Sequence, residues 1–156
     1  MQVHSMRLII QRVSHSSVTI NQQMHSSIGR GLLVLLGVCP EDTCEDADWL
    51  AQKLCGMRIF GDENGKMNLS VNDAGGEILV VSQFTLFAAT KKGNRPSFIR
   101  AAGPEQANEL YEYFAKATLV HAPGRVKTGV FAADMKVELL NDGPVTIVMD
   151  SKNRDF

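Results

Sequence analysis

The sequence predicts an α/β protein: a single domain of three layers (helices, sheet, sheet), with the sheet curled toward a barrel. Aliphatic and β-branched runs recur along most of the chain, whereas only two well-separated stretches carry a helical apolar stripe. The elements therefore read ββ-(βα)2-βββ, and a strand-rich core with both helices on one side is the natural packing. The run Ile78–Val81 adds a third observation. It is unbroken, too short for a helix and preceded by Asp73, Gly75 and Gly76, so it reads as a strand buried on both faces. A chain of 156 residues suffices for one domain with a full core.

The net charge of −1 announces neither nucleic acid nor lipid globally. No apolar run reaches the length of a membrane span, and no signal peptide is visible. Cys39, Cys44 and Cys55 are odd in number and lack paired ligand spacing, which fits reduced thiols in a cytoplasmic protein. Residues 1–5 precede a second methionine, Met6, where the periodic pattern begins. They read as a natural extension or an expression remnant, leaving 6–156 as the domain.

From there the elements follow in order. Met6–Val13 and Ser17–Asn21 read as two strands with a polar turn between them. Gln11 or Arg12 must then point where aliphatic neighbours point, and an arginine there needs an acceptor unless it snorkels to solvent. Gly31–Val38 is the most apolar segment and a central strand. Thr43 with Asp46 starts a helix whose stripe is Ala47, Leu50, Leu54 and Met57, with Trp49 beside it. Arg58–Phe60 reads as a short strand and Gly61–Gly65 as a turn. The acids Asp62 and Glu63 lack calcium-loop spacing.

The Ile78 strand runs into Ser82, Gln83 and Thr85, set around Phe84. Polar groups at a buried strand end need partners, supplied either by nearby backbone or by a ligand. Thr90–Phe98 holds Lys91, Lys92 and Arg95, with Arg100 just beyond. It is either a solvated loop or a phosphate-contacting one. Gly103–Pro104 opens the second helix, with stripe Ala107, Leu110, Tyr111, Phe114 and Thr118, ended by His121–Gly124. Gly129–Phe131 leads to a strand at Val137–Leu140. Asn141–Pro144 is a turn, and Pro144–Met149 the last strand.

No conventional catalytic constellation emerges. A Ser or Thr nucleophile needs an adjacent base, and His4, His15, His25 and His121 are assigned to the N-terminal tail, two hairpin turns and a helix end. There is no zinc-type His/Cys cluster, and Gly29-Arg30-Gly31 lacks the spacing of a phosphate loop. Neither cofactor nor metal is expected.

Two motifs, SQFTL at Ser82–Leu86 and NDGPVT at Asn141–Thr146, resemble the paired signatures of the D-aminoacyl-tRNA deacylase (D-tyrosyl-tRNA deacylase) family. MRLIIQRVSHSSV from Met6, RGLLVLLGV and KKGNRPSF from Lys91 resemble it too, in matching order, so the similarity spans Met6 to about Asp150. The resemblance implies a homodimeric cytoplasmic hydrolase that cleaves the ester between a D-amino acid and the tRNA 3′ end. It also implies removal of glycine mischarged onto tRNA for alanine.

Gln83, Phe84 and Thr85 would take the catalytic position. Ser82 would line the pocket, with Phe131, Ala133 and Met135 as another wall. Gly143 and Pro144, joined by a cis bond, would reach into the other subunit's pocket and exclude L-amino acids. Lys91, Lys92 and Arg95 would grip tRNA phosphates. Two mechanisms fit the resemblance: Thr85 as nucleophile, or water activated by the substrate's 2′-hydroxyl with backbone amides holding the ester. The missing base favours the second. Rival readings are a non-catalytic module that binds tRNA ends and a small-molecule esterase using Thr85; no membrane or DNA partner is expected.

Overall fold

A computed structural model describes residues 4–155. Met1–Val3 of the anticipated extension lie outside the described residues, while Ser5 is fully buried. The strands are β1 (Arg7–Ile20), β2 (Gln23–Ile28), β3 (Gly31–Gly37), β4 (Phe60–Gly61), β5 (Met67–Leu69), β6 (Glu77–Ser82), β7 (Val126–Thr128) and β8 (Lys136–Asp150). The helices are α1 (Cys44–Gly56) and α2 (Pro104–His121), and a 3-10 turn spans Phe84–Phe87.

The main sheet runs β2-β1-β3-β6-β7, with β8 on the other edge of β1. β3, β6 and β7 are mutually parallel, because α1 and α2 serve as the crossovers that parallel strands require. The remaining pairings in this sheet are antiparallel. Its two ends nearly meet. The Ser26 hydroxyl donates to the Thr128 carbonyl at 3.0 Å, and the Lys127 ammonium to the Ser27 carbonyl at 2.7 Å, so side chains rather than a ladder draw the barrel together.

Side-chain alternation divides the core. Leu32, Val34 and Leu36 of β3, with Ile78 and Val80 of β6, face the helices and meet Leu50, Leu54, Leu110 and Phe114. Leu33, Leu79 and Val81 point the other way, into the barrel, against Val13, Val18, Ile28 and the β8 side chains Val137 and Leu139. Ile78–Val81 is thus covered on both faces, each residue at most 2% exposed. α1 starts as its sequence implies, with a Thr43–Asp46 capping box, and α2 buries Ala107, Leu110, Tyr111, Phe114 and Thr118.

Several boundaries differ from the sequence reading. β1 is one strand, not two: Ser14–Ser16 continues it, and the hairpin turn falls at Asn21–Gln22, both with positive φ. The polar stretch survives inside a strand because β8 pairs along it and the Ser16 hydroxyl bonds the Glu138 carbonyl at 2.8 Å. His15 and His25 accordingly lie on strands β1 and β2 rather than in turns. β8 is likewise continuous through Asn141–Pro144. Gln11 pairs with Thr146 and Val13 with Asn141, so Asp142, Gly143, Pro144 and Val145 bulge out opposite Arg12 alone. β5, β7 and the 3-10 turn have no counterpart in the sequence reading; each is too short to carry a periodic signal.

The described ends are knotted together. The Ser151 amide donates to the Met6 carbonyl at 2.9 Å, and the Ser5 hydroxyl to the Asp150 carboxylate. Asp42 accepts from the amides of Met6 at 2.8 Å and Cys39 at 2.6 Å, and Lys152 pairs with Asp46 at 3.0 Å.

Candidate functional site

β6 and β7 run parallel and then separate, and a cavity of about 610 Å³ opens where they part. Ser82, Gln83 and Phe84 form one side. Phe131, Ala133, Met135 and Val137 form the other, and Ala107 of α2 lines it as well. Strand-terminal loops diverging from a parallel pair are a common place for a ligand crevice in α/β sheets. Ser82, Gln83, Phe84, Phe131, Ala133 and Met135 are thereby brought together around one cavity.

The polar corner is held by backbone. The Gln83 amide donates to the Leu36 carbonyl at 2.8 Å, and the Leu86 amide to the Gln83 carbonyl at 3.3 Å. The first amides of the following 3-10 turn, those of Phe84 and Thr85, have no acceptor within the turn, as at any helix start. Thr85 is exposed and is not among the cavity-lining residues. Its hydroxyl oxygen accepts a hydrogen bond from the Gln83 side-chain amide. A neutral amide cannot take up a proton, so this contact does not activate the hydroxyl.

The nearby thiol is no better placed for attack: burial pushes Cys39 up to about 12, with Asp42 next in effect. Among the described residues no group of His, Cys, Asp and Glu is arranged to hold a metal ion.

Lys91, Lys92 and Arg95 are exposed in a loop whose base is fixed at the cavity mouth. Ala89 and Ser97 exchange backbone hydrogen bonds at 2.7 and 2.9 Å, and the Phe84 and Phe98 rings meet edge to face at 5.2 Å. The loop therefore projects from the rim of the same cavity that Phe84 and Phe98 line.

Gly143 and Pro144 stand elsewhere. Both are exposed at the tip of the β8 bulge, absent from this cavity's lining, and their peptide bond is cis. Side chains brace the bulge from below. Arg12 Nε donates to the Asp142 carbonyl at 3.0 Å, and its Nη1 to the Ile59 carbonyl at 2.7 Å. The Asn141 side-chain oxygen accepts from the Val145 amide at 2.9 Å. Arg12, marked in the sequence as needing an acceptor, has found backbone ones. Its place beneath Gly143 was not legible, because it depends on the bulge. Ala107 was missed for another reason: it reads as one more small residue in a buried stripe, and nothing local marks that its surroundings are hollow.

A family profile described as D-Tyr-tRNA(Tyr) deacylase matches residues 9–150. The chain is 61% identical over 150 residues to a D-aminoacyl-tRNA deacylase of Flavobacterium johnsoniae, covering 96% of this chain and 100% of the relative. A protein of the same name from Bacteroides thetaiotaomicron is 60% identical over 151 residues, with the same coverage. Among solved structures, a c-Myc DNA unwinding element binding protein superposes with a TM-score of 0.87 at 42% identity, covering 92% of this chain and 97% of that one. A probable eukaryotic D-amino acid tRNA deacylase gives 0.79 at 19% identity, covering 93% and 98%, a likeness of fold.

Proposed function

The chain belongs to the D-Tyr-tRNA(Tyr) deacylase family and is a hydrolase, a D-aminoacyl-tRNA deacylase; from that premise we propose that the cavity beside Ser82–Phe84 is its reaction site. The observation that carries this reading is the meeting, in one cavity, of a polar strand end, an apolar wall and a basic loop fixed at the mouth. The apolar wall takes the aminoacyl end, and Lys91, Lys92 and Arg95 take phosphates of the acceptor strand. A net charge of −1 with basic side chains grouped at one mouth suits the end of a nucleic acid better than a duplex gripped along its length.

The ester is cleaved by water, without an acyl-enzyme. Free amides at the start of the 3-10 turn hold the carbonyl oxygen as it gains charge. The substrate's own 2′-hydroxyl, adjacent to the ester, assists the attacking water. What supports this is the environment of Thr85, which contacts an amide and not a base. Thr85→Ala is therefore expected to retain kcat within about tenfold of wild type, where loss of a true nucleophile costs far more. An aminoacyl group trapped on Thr85 in a quenched reaction would contradict the mechanism.

The Gly143–Pro144 bulge of a second copy closes the pocket and reads chirality. Two observations support it: the bulge is exposed and braced, and the β8 side chains around it include the exposed apolar Leu140 and Val148, an unpartnered surface suited to another subunit. At the α-carbon, D and L forms exchange hydrogen and side chain. With the amino group and carbonyl anchored, one enantiomer points its side chain outward and the other drives it into main chain.

Glycine has hydrogen on both sides and passes, so glycyl-tRNA for alanine is also a substrate. A time course on D-Tyr-, Gly-, L-Tyr- and L-Ala-tRNA with one preparation should show the first two consumed and the last two intact. Equal rates on L-Ala- and D-Tyr-tRNA would remove the filter, and binding without any turnover would favour a non-catalytic tRNA-end module.

A further inference from the structure

Tyr111 is not among the cavity-lining residues, yet it ties together the two segments that form opposite walls. It lies on α2, one turn beyond the lining residue Ala107, and is only 4% exposed. Its hydroxyl donates to the Val80 carbonyl at 3.0 Å, with the Gly129 carbonyl at 3.5 Å. Val80 precedes Ser82 by two residues on β6, and Gly129 precedes Phe131 by two residues after β7. The Gly129 amide also donates to the Val80 carbonyl, at 3.1 Å.

The hydroxyl therefore sits on the last common tie between the two segments before they diverge around the cavity. Its ring continues the contact, meeting Phe131 edge to face at 6.2 Å. Gly129 also packs directly against the wall: a Cβ there would fall 2.5 Å from the Met135 sulfur.

We propose that Tyr111 is a positioning residue for deacylation. Through its hydroxyl it sets the spacing between the Ser82–Phe84 corner and the Phe131–Met135 wall, and so the orientation of the ester, without touching substrate. The proposal rests on the reading of this cavity as the reaction site. Without the hydroxyl the Val80 carbonyl keeps only the Gly129 amide as donor, so the tie is loosened where both walls begin. Misplacement of a reacting group by a fraction of an ångström is read chiefly in kcat, while KM for a whole tRNA is carried by contacts elsewhere.

The test compares Tyr111→Phe with Thr118→Val, assayed on D-Tyr-tRNA alongside thermal denaturation. Both variants lose one buried hydroxyl on the same helix, but that of Thr118 bonds only the Phe114 carbonyl, at 2.8 Å. Tyr111→Phe should lower kcat about tenfold with KM within about twofold, whereas Thr118→Val should keep kcat while melting at a similar temperature. Wild-type kcat in Tyr111→Phe, or an equal loss in Thr118→Val, overturns the positioning role. If Tyr111→Phe does not fold, Thr128→Val alters the residue paired with Val80 at the same junction: a fall in kcat supports the proposal and an unchanged kcat overturns it. An inactive wild type would overturn the site reading, and this inference with it, whereas an active wild type beside an unaffected Tyr111→Phe overturns only the inference.

Discussion

Gly143→Ala is expected to admit L-alanyl-tRNA and to slow turnover of D-tyrosyl-tRNA. Gly143 has φ +135°, a region that side-chain-bearing residues avoid. An added Cβ would lie 2.9 Å from Val145 Cγ2 and 3.0 Å from Arg12 Nη2. Something must yield, and the Arg12 guanidinium is the brace that holds the bulge to the Asp142 and Ile59 carbonyls.

A backbone forced out of such a conformation relaxes by as much as about 3 kcal/mol, which corresponds to about a hundredfold in a rate ratio. The preference for D-Tyr-tRNA over L-Ala-tRNA should fall by that order. Ser82→Ala, which alters a cavity side chain and leaves the bulge alone, should keep its discrimination. Single-turnover rates on both substrates for the three proteins check this. An alanine variant with the same ratio of D-Tyr-tRNA to L-Ala-tRNA rates as the wild type would show that the bulge is not the filter.

Gly31→Ala should be the most damaging small substitution in the scaffold. In the parallel pairing of β3 with β6, Gly31 stands opposite Glu77, and a Cβ there would come 1.8 Å from the Glu77 carbonyl oxygen and 2.7 Å from its backbone N and C. No side chain can rotate away, because the obstacle is main chain. The first rungs between β3 and β6 must part, including the bond from the Glu77 amide to the Arg30 carbonyl at 3.0 Å. The expected loss is about 3 kcal/mol or more, or about 10 °C in Tm for a domain of this size. Gly29→Ala, two residues away with nothing within 4 Å, should stay within about 0.5 kcal/mol. Urea melts of the two variants separate the cases, and near-identical midpoints would refute the close approach.

What could be read from the sequence was whatever is written locally. Ile78–Val81 and the α2 stripe declare their burial because their periodicity is their packing. Ser14–Ser16 misleads for the complementary reason. Polar clusters usually mark turns, and only pairing with β8, distant in sequence, makes a strand of them. Asn141–Pro144 has the composition of a turn and is instead a bulge within one long strand, a distinction that needs the register of β1.

Around the cavity, Ser82–Phe84 stood out as the polar end of a buried strand, whereas the Phe131–Met135 wall came only from the family resemblance. That they share a cavity follows from the parting of β6 and β7, and β7 is too short to announce itself. Thr85 was legible as a hydroxyl but not as one turned toward an amide, and Tyr111 looked like any buried helical aromatic.

The long pairing of β1 with β8 bears on how the protein is made. Arg7 is matched to Asp150, nearly the full length of the described chain apart, and the register runs on to Thr19 with Lys136. During vectorial synthesis on the ribosome, β1, β2 and β3 emerge well before β8 and can associate, but one whole edge of β1 has no ladder partner until β8 follows. Such sequence-distant pairing slows folding, and an open edge invites pairing with another nascent chain. The sheet is completed, and the bulge that carries Gly143 and Pro144 takes its place opposite Arg12, only once β8 has been made.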